Sequence, residues 1–206
     1  MHVHVTKTTL ACFFQLRRLR RVCRLLGHDL TANLVAALVF TWLDYGNALL
    51  AGLPHSSIAP YQRVINAAVT LVNGLRSHDH VTQAAIDLHW LPAEARIQYK
   101  LCLLVHHALA GRAPAYIMDL LHTRRRHFIS PSSSEVGNHR QPIRASYQTA
   151  VRWASFWVAA LKVWNQVPHD VRSIDNTNTF KKKLKTIFVY KVLWYWFYLI
   201  IFLFTC

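Results

Sequence analysis

The chain has 206 residues, enough for one large or two small domains with a buried core, and its 53% hydrophobic content is high for a soluble protein, inflated by the last stretch. Lys and Arg number 24 against 9 Asp and Glu, for a net charge of +15, which predicts attraction to polyanions: nucleic acid first, anionic membrane second. Cys12, Cys23, Cys102 and Cys206 are too sparse for a disulfide scaffold and form no C-x-x-C, which points to a reducing compartment, and the N-terminal apolar run is too short for a secretory signal.

Residues 10–26 read as an amphipathic helix with Cys12, Leu16, Leu19, Cys23 and Leu26 as its buried seam and Gly27 as its cap. Arg17, Arg20, Arg21 and Arg24 cluster on a different side, with Arg18 beside them. Such a cluster is either a solvated face or a phosphate-binding stripe. No acid stands at i+4 spacing to make surface pairs, which favours the stripe. Residues 31–50 carry one charge, Asp44, and read as a core helix capped by Thr31 and running to Phe40 or Trp42. The segment is too interrupted for a membrane span. Gly52 and Pro54 then break the chain.

A helix over 58–73 follows, with Tyr61, Val64, Ile65, Ala68, Leu71 and Val72 as its stripe and Gly74 as its end. Arg76, His78, Asp79 and His80 form a polar loop. His-Asp-His invites a metal reading, but no second cluster at ligand spacing supports it, and the loop reads instead as supplying the cap of a short helix over 82–88. The best-signposted helix comes next. Pro92 takes its first position, Glu94 its first turn, and Gly111 its left-handed cap. Ile97, Leu101, Leu104, Val105 and Ala108 make its apolar stripe, and Arg96, Lys100 and His107 a wet basic edge. His106 and His107 are adjacent, so they point about a hundred degrees apart and do not share a metal.

Residues 114–121 read as a short amphipathic helix, and 122–146 as a basic, Ser-rich linker in which Arg124, Arg125 and Arg126 either contact phosphate or keep the loop in water. An aromatic segment with Trp153, Phe156, Trp157 and Trp164 spans 151–167. Asn178 is placed to cap a last helix in which Phe180, Leu184 and Phe188 face in and Lys181, Lys182, Lys183 and Lys185 face out. Residues 192–206 carry no charge, a marginal length for a C-terminal membrane anchor. Such an aromatic tail is also what AT-rich DNA encodes when a stop codon is lost.

Several of these segments share a further property. DLHWLP at 87–92, RIQYKLCLL at 96–104 and ALAGRAPAYI at 108–117 resemble the C-terminal part of reverse transcriptases of non-LTR retrotransposons, in the LINE and jockey-like group. ACFFQLRRLRRV, LDYGNALLAGLP, QRVINAAVTLVNG and HDHVT stand upstream; VWNQVPHDVRS and FKKKLKTIF stand downstream. The resemblance covers residues 11–188, in the family's order and at about its spacing. Gly46 departs from the family's usual Cys and Trp42 from its usual Arg, which suggests drift or an altered core. Ala150 and Val151 replace a Tyr-Gly pair, which puts that turn in doubt.

The resemblance implies a mainly α protein: a helical thumb-like bundle over 1–121, the linker at 122–146, a loop-rich, Trp-rich helical segment over 147–188 and a hydrophobic tail from 189 outside the family pattern. Polymerases of this family hold two divalent metals with palm carboxylates. None of the nine acids here is adjacent to another, and the nearest sequence to an aromatic-Asp-Asp turn is Asp44-Tyr45-Gly46. P-loop, H-E-x-x-H and G-x-S-x-G patterns are also missing. The expectation is therefore a non-enzymatic fragment that takes no cofactor or metal. It would bind RNA or RNA–DNA duplex without sequence preference through Arg17, Arg20, Arg21, Arg24, Arg124, Arg125, Arg126, Lys181, Lys182, Lys183 and Lys185, and the resemblance implies a nuclear or cytoplasmic location. The alternatives are a small basic protein held on a membrane by its C-terminus, or the product of a decayed element with no selected function. Apolar surface left without a palm to cover it favours self-association.

Overall fold

The computed structural model describes residues 2–76, 79–114, 156 and 158–205, with residue 2 and residues 192–205 described in backbone alone. Helix takes up 81% of the described residues and none lies in a strand, so the fold is mainly α. His78, the segment 115–155 with its linker and Arg124, Arg125 and Arg126, the Ala150–Val151 turn, Trp153 and Trp157 lie outside the described residues. Chain contacts divide the protein into two compact units: Met1–Lys100 with Lys182–Cys206, and Leu101–Lys181.

The first unit opens with α1, His2–Val35, eight residues earlier than its periodicity predicts, because Val5 and Thr8 extend the seam backwards and are buried. Cys12, Leu16 and Leu19 are buried as expected, whereas Cys23 and Leu26 are only half-buried. Gly27 interrupts the helix with φ 70 and ψ 172, a conformation that costs a side-chain-bearing residue dearly. Two helical stretches meet at this kink: the first ends at Gly27, as expected, and the second begins directly after it. Thr31 is therefore no N-cap: it sits inside the resumed turn, and its hydroxyl donates 2.7 Å back to the Gly27 carbonyl.

The resumed helix widens to a π turn at Ala36–Phe40 and returns to α2, Thr41–Asp44. The Cys12 thiol points at this widened turn, 3.7 Å from the Val39 carbonyl. Val35, Val39, Phe40 and Leu43 bury one face of the segment, while Leu30, Leu38 and Trp42 stay exposed, so only that face joins the core the sequence predicts. Among the described residues, one helix, Val3–Asp44, is long and apolar enough to cross a membrane. The two departures at Trp42 and Gly46 do not alter the core: Trp42 is 54% exposed, and Gly46 supplies a left-handed φ of 68 before the 3-10 turn Asn47–Leu50.

Helix α3, His55–Asn73, buries Ile58, Tyr61, Val64, Ile65, Ala68, Val69 and Val72 and packs along α1. Val69 replaces the expected Leu71, which is half-buried. Each fully buried aliphatic side chain of this kind contributes roughly 1.5–3 kcal/mol, so α3 is the main support of α1. Gly74 closes α3 in the left-handed conformation, with its N–H on the Thr70 carbonyl. His28, just past the Gly27 break, ties the two helices through Asn73 at 2.9 Å. Its pKa is raised first by the hydrogen bond that its ring donates to the Asp29 carboxylate and then by the one it donates to Asn73.

Helix α4, Val81–Asp87, starts at His80 without any side-chain cap, contrary to the capping role expected of the preceding loop. Asp79 instead accepts from the Arg76 N–H at 2.6 Å. Helix α5, Ala93–Leu109, begins after Pro92 and ends at Gly111, φ 67, where the Arg112 N–H reaches the His107 carbonyl at 2.8 Å. Its first free N–H, on Ala93, is taken by the side chain of Gln62 in α3 at 2.9 Å. Leu104 is half-buried; Cys102 and His106 are buried beside Ile97, Leu101, Val105 and Ala108.

The second unit contains the end of α5, helix α6 (158–165), α7 (His169–Arg172) and the start of α8 (Thr177–Thr205). Phe180 is its centre, stacked on His106 at 4.1 Å and tilted against Trp164 at 5.8 Å. The His106 Nε2–H donates to the Ile174 carbonyl at 2.8 Å, and its buried Nδ1 has no hydrogen-bond partner among the described residues. Asn176, not Asn178, caps α8: its side-chain oxygen accepts from the N–H groups of Asn178 and Thr179 at 2.9 and 3.2 Å. Phe180, Leu184 and Phe188 are buried, as predicted. Helix α8 runs unbroken to Thr205, so the tail continues the last helix instead of starting a separate element.

Candidate nucleic-acid interface

At 3.6 residues per turn, Cys12, Leu16, Leu19, Cys23 and Leu26 fall in one arc of α1, about 80° wide. Arg17, Arg20, Arg21 and Arg24 fall in another, about 100° wide, whose near edge at Arg20 lies about 40° from the seam. Packing of the seam against α3 therefore fixes where the arginines go. All four are exposed, as is Arg18. None of the four makes an ion pair or a side-chain hydrogen bond among the described residues. The two ion pairs found there are His28–Asp29 and Arg96–Asp44. The α1 cations are thus left open to an external anion.

Arg18 differs from the others. Its guanidinium lies over the ring of Phe14, 5.9 Å from the centroid, and Phe14 is itself 53% exposed. Val22 and Leu25 are also exposed, at 41% and 87%. Sequence periodicity did not single out these apolar side chains, because it followed only the inward stripe; Phe14 sits one turn before Arg17 and Arg18, and that spacing was the available signal.

Lys182, Lys183 and Lys185 on α8 are exposed, and Lys181 is half-buried. They lie on either side of the boundary between the two compact units.

Arg96 does not lie where its spacing predicts. The sequence places it on a wet basic edge, but its side chain is only 16% exposed. It donates through Nε and Nη2 to the two oxygens of Asp44, at 2.9 and 2.6 Å, and its guanidinium stands 4.3 Å from the Phe40 centroid. Asn47 adds a 3.3 Å hydrogen bond to the same carboxylate, and Trp90 meets Phe40 edge-on at 4.5 Å. This cluster sits at the edge of the core, with Phe40 buried and the Asp44 side chain still 41% exposed. The signal for it was Asp44, a lone acid in an apolar stretch, which needs a cation when it folds inward.

Among the described residues no group of three or more His, Cys, Asp or Glu side chains is arranged to hold a metal ion. His106 and His107 stand edge-to-face with ring centroids 6.0 Å apart. No protein-family model, curated protein or solved structure matches this chain.

Proposed function

We propose that this chain is a non-catalytic helical fragment, resembling the C-terminal part of a non-LTR retrotransposon reverse transcriptase, that binds RNA or RNA–DNA duplex without reading sequence. The observation that carries the proposal is the α1 bank: Arg17, Arg18, Arg20, Arg21 and Arg24, all exposed on a helix whose other face is locked in the core, with no acid paired to them among the described residues. Phosphate contacts of this kind release condensed counterions, so affinity falls steeply with salt, by about 0.9 in the log–log slope per phosphate neutralised on duplex. Lys182, Lys183 and Lys185 add to the same positive field. The test is duplex binding against salt for the wild type and for the chain carrying Arg17→Gln, Arg20→Gln, Arg21→Gln and Arg24→Gln. The slope is expected to fall by about three to four. An unchanged slope removes the arginines from the binding, and divalent-metal-dependent primer extension would contradict the non-catalytic half.

A second reading, membrane attachment through the C-terminus, is favoured by the unbroken course of α8 to Thr205. A continuous helix satisfies its own backbone, as lipid requires, and the lysines before the tail would hold that side in the cytosol. Membrane fractionation with and without residues 189–206 tests it. If both forms stay soluble, or both pellet alike, the anchor fails.

A further inference from the structure

The arginine bank carries an aromatic ring that the core does not use. Phe14 lies on the helix that buries Cys12 and Leu16, yet it points away from them and remains 53% exposed. Its place on α1 puts it on the same outer arc as Arg17 and Arg21, and Arg18 holds a guanidinium over its ring. Along the axis, Arg17, Arg21 and Arg24 follow Phe14 at about 4.5, 10.5 and 15 Å, at 1.5 Å per residue.

We propose that Phe14 is a stacking platform for an unpaired base, and that the preferred ligand of this face is single-stranded nucleic acid. The proposal rests on the nucleic-acid reading above and refines its substrate class. Phosphate contacts alone do not separate one strand from two. A closed duplex keeps its base faces stacked on one another and offers nothing for a phenyl ring to cover. A single strand laid along α1 can place one base on Phe14 and its next phosphates on Arg17, Arg21 and Arg24, combining an aromatic platform with a basic track as single-strand binders do. The guanidinium of Arg18 extends the platform, since it stacks on a base as well as on the ring.

The experiment compares an unstructured RNA strand of about twelve nucleotides with an RNA–DNA duplex of the same length, by fluorescence anisotropy at one salt concentration. The full chain is used as wild type, Phe14→Leu and Phe14→Trp, with circular dichroism to confirm equal helix content. Leu keeps apolar area and helix propensity but removes the aromatic face. The wild type is expected to prefer the single strand. Phe14→Leu should weaken that binding about fivefold or more while leaving duplex affinity unchanged, and Phe14→Trp should restore or exceed it. If Phe14→Leu weakens both ligands equally, or neither, the platform is wrong. That result is separable from failure of the parent reading, which is read from the salt slope of the arginine variants. Vesicles containing anionic lipid supply the last arm. If wild type and Phe14→Leu bind them equally, and more tightly than the single strand, the face serves a membrane and the proposal is overturned.

Discussion

Arginine is put to two opposite uses in the first compact unit. Arg96 sits at 16% side-chain exposure with both arms of its fork on Asp44 and Phe40 against its plane. The α1 arginines stand in water with no counter-charge among the described residues. The side chain is the same and always charged; what differs is whether the fold supplies the acid. With 9 acids to 24 cations it supplies few. Crowded like charges at i+3 and i+4 spacing cost about 0.2–0.5 kcal/mol per pair, a cost that an external polyanion reverses. A cation neutralised in place serves the fold, and a bank left unneutralised is available to a ligand.

The sharpest way to break this comparison is to exchange the consequences. Arg96→Met and Asp44→Asn should each lower the stability of the chain by about 2 kcal/mol, since each strands one partner of a charge-assisted bidentate pair in a partly buried place. Neither should change the salt dependence of nucleic-acid binding beyond the change in net charge. The four α1 arginines changed together to glutamine should do the reverse. Their stability effect should stay within about 0.5 kcal/mol per site, because relieved repulsion offsets the lost side chains, while binding collapses. Urea unfolding and salt titration on the same variants read both axes. A quadruple variant that loses stability as Arg96→Met does would show that the α1 arginines are structural after all.

The helices themselves were legible because hydrophobic period, proline and glycine agree: α3 and α5 start and stop within a few residues of where Pro92, Gly74 and Gly111 put them. What the sequence hid were choices settled by tertiary partners. Thr31 and Asn178 are both good capping residues by type, but the second helical stretch begins directly after the Gly27 kink, ahead of Thr31, and Asn176 occupies the cap position two residues before Asn178. The N-terminus of α5 is capped from α3 by Gln62, a bond across 31 residues that no local pattern signals. His89 closes α4 at φ 54, where a glycine would be expected. For the candidate site, the arginine arc and its exposure were readable from spacing, because the inward seam leaves one way for the arginines to face. That Asp44 needs a cation was readable, but that Arg96 supplies it was not, because the two lie 52 residues apart.

The smallest effect, and the most direct check on the comparison, comes from the cysteines of α1. The rotation of this helix sets which way the arginines face, and Cys12 and Cys23 report that rotation from two positions on one seam. Cys12 is fully buried, with its thiol on the Val39 carbonyl, and burial pushes its pKa up from about 9 to about 11. Cys23 lies at the rim among the arginines, half-buried, with its sulfur 3.4 Å from the Arg20 carbonyl. Because the thiolate is the reactive species, alkylation at pH 8 followed by peptide mass spectrometry should label Cys23 promptly and Cys12 only on unfolding. Comparable labelling of the two would mean that α1 is turned from the position described, and the arginine arc with it. The same burial has a pH consequence with a definite sign. The folded thiol holds its proton to about pH 11, whereas the unfolded thiol gives it up near 9, so ionisation favours the unfolded chain in that window. Stability from Cys12 is intact below about pH 9 and is lost as the pH climbs toward 11. Tyr61 and Tyr99, whose pKa values are also raised by burial, add to the decline in the same direction. Changing Cys12 to Ala should therefore flatten the alkaline slope without abolishing it. A slope that survives Cys12→Ala undiminished would place that thiol in water, on the arginine side of the helix.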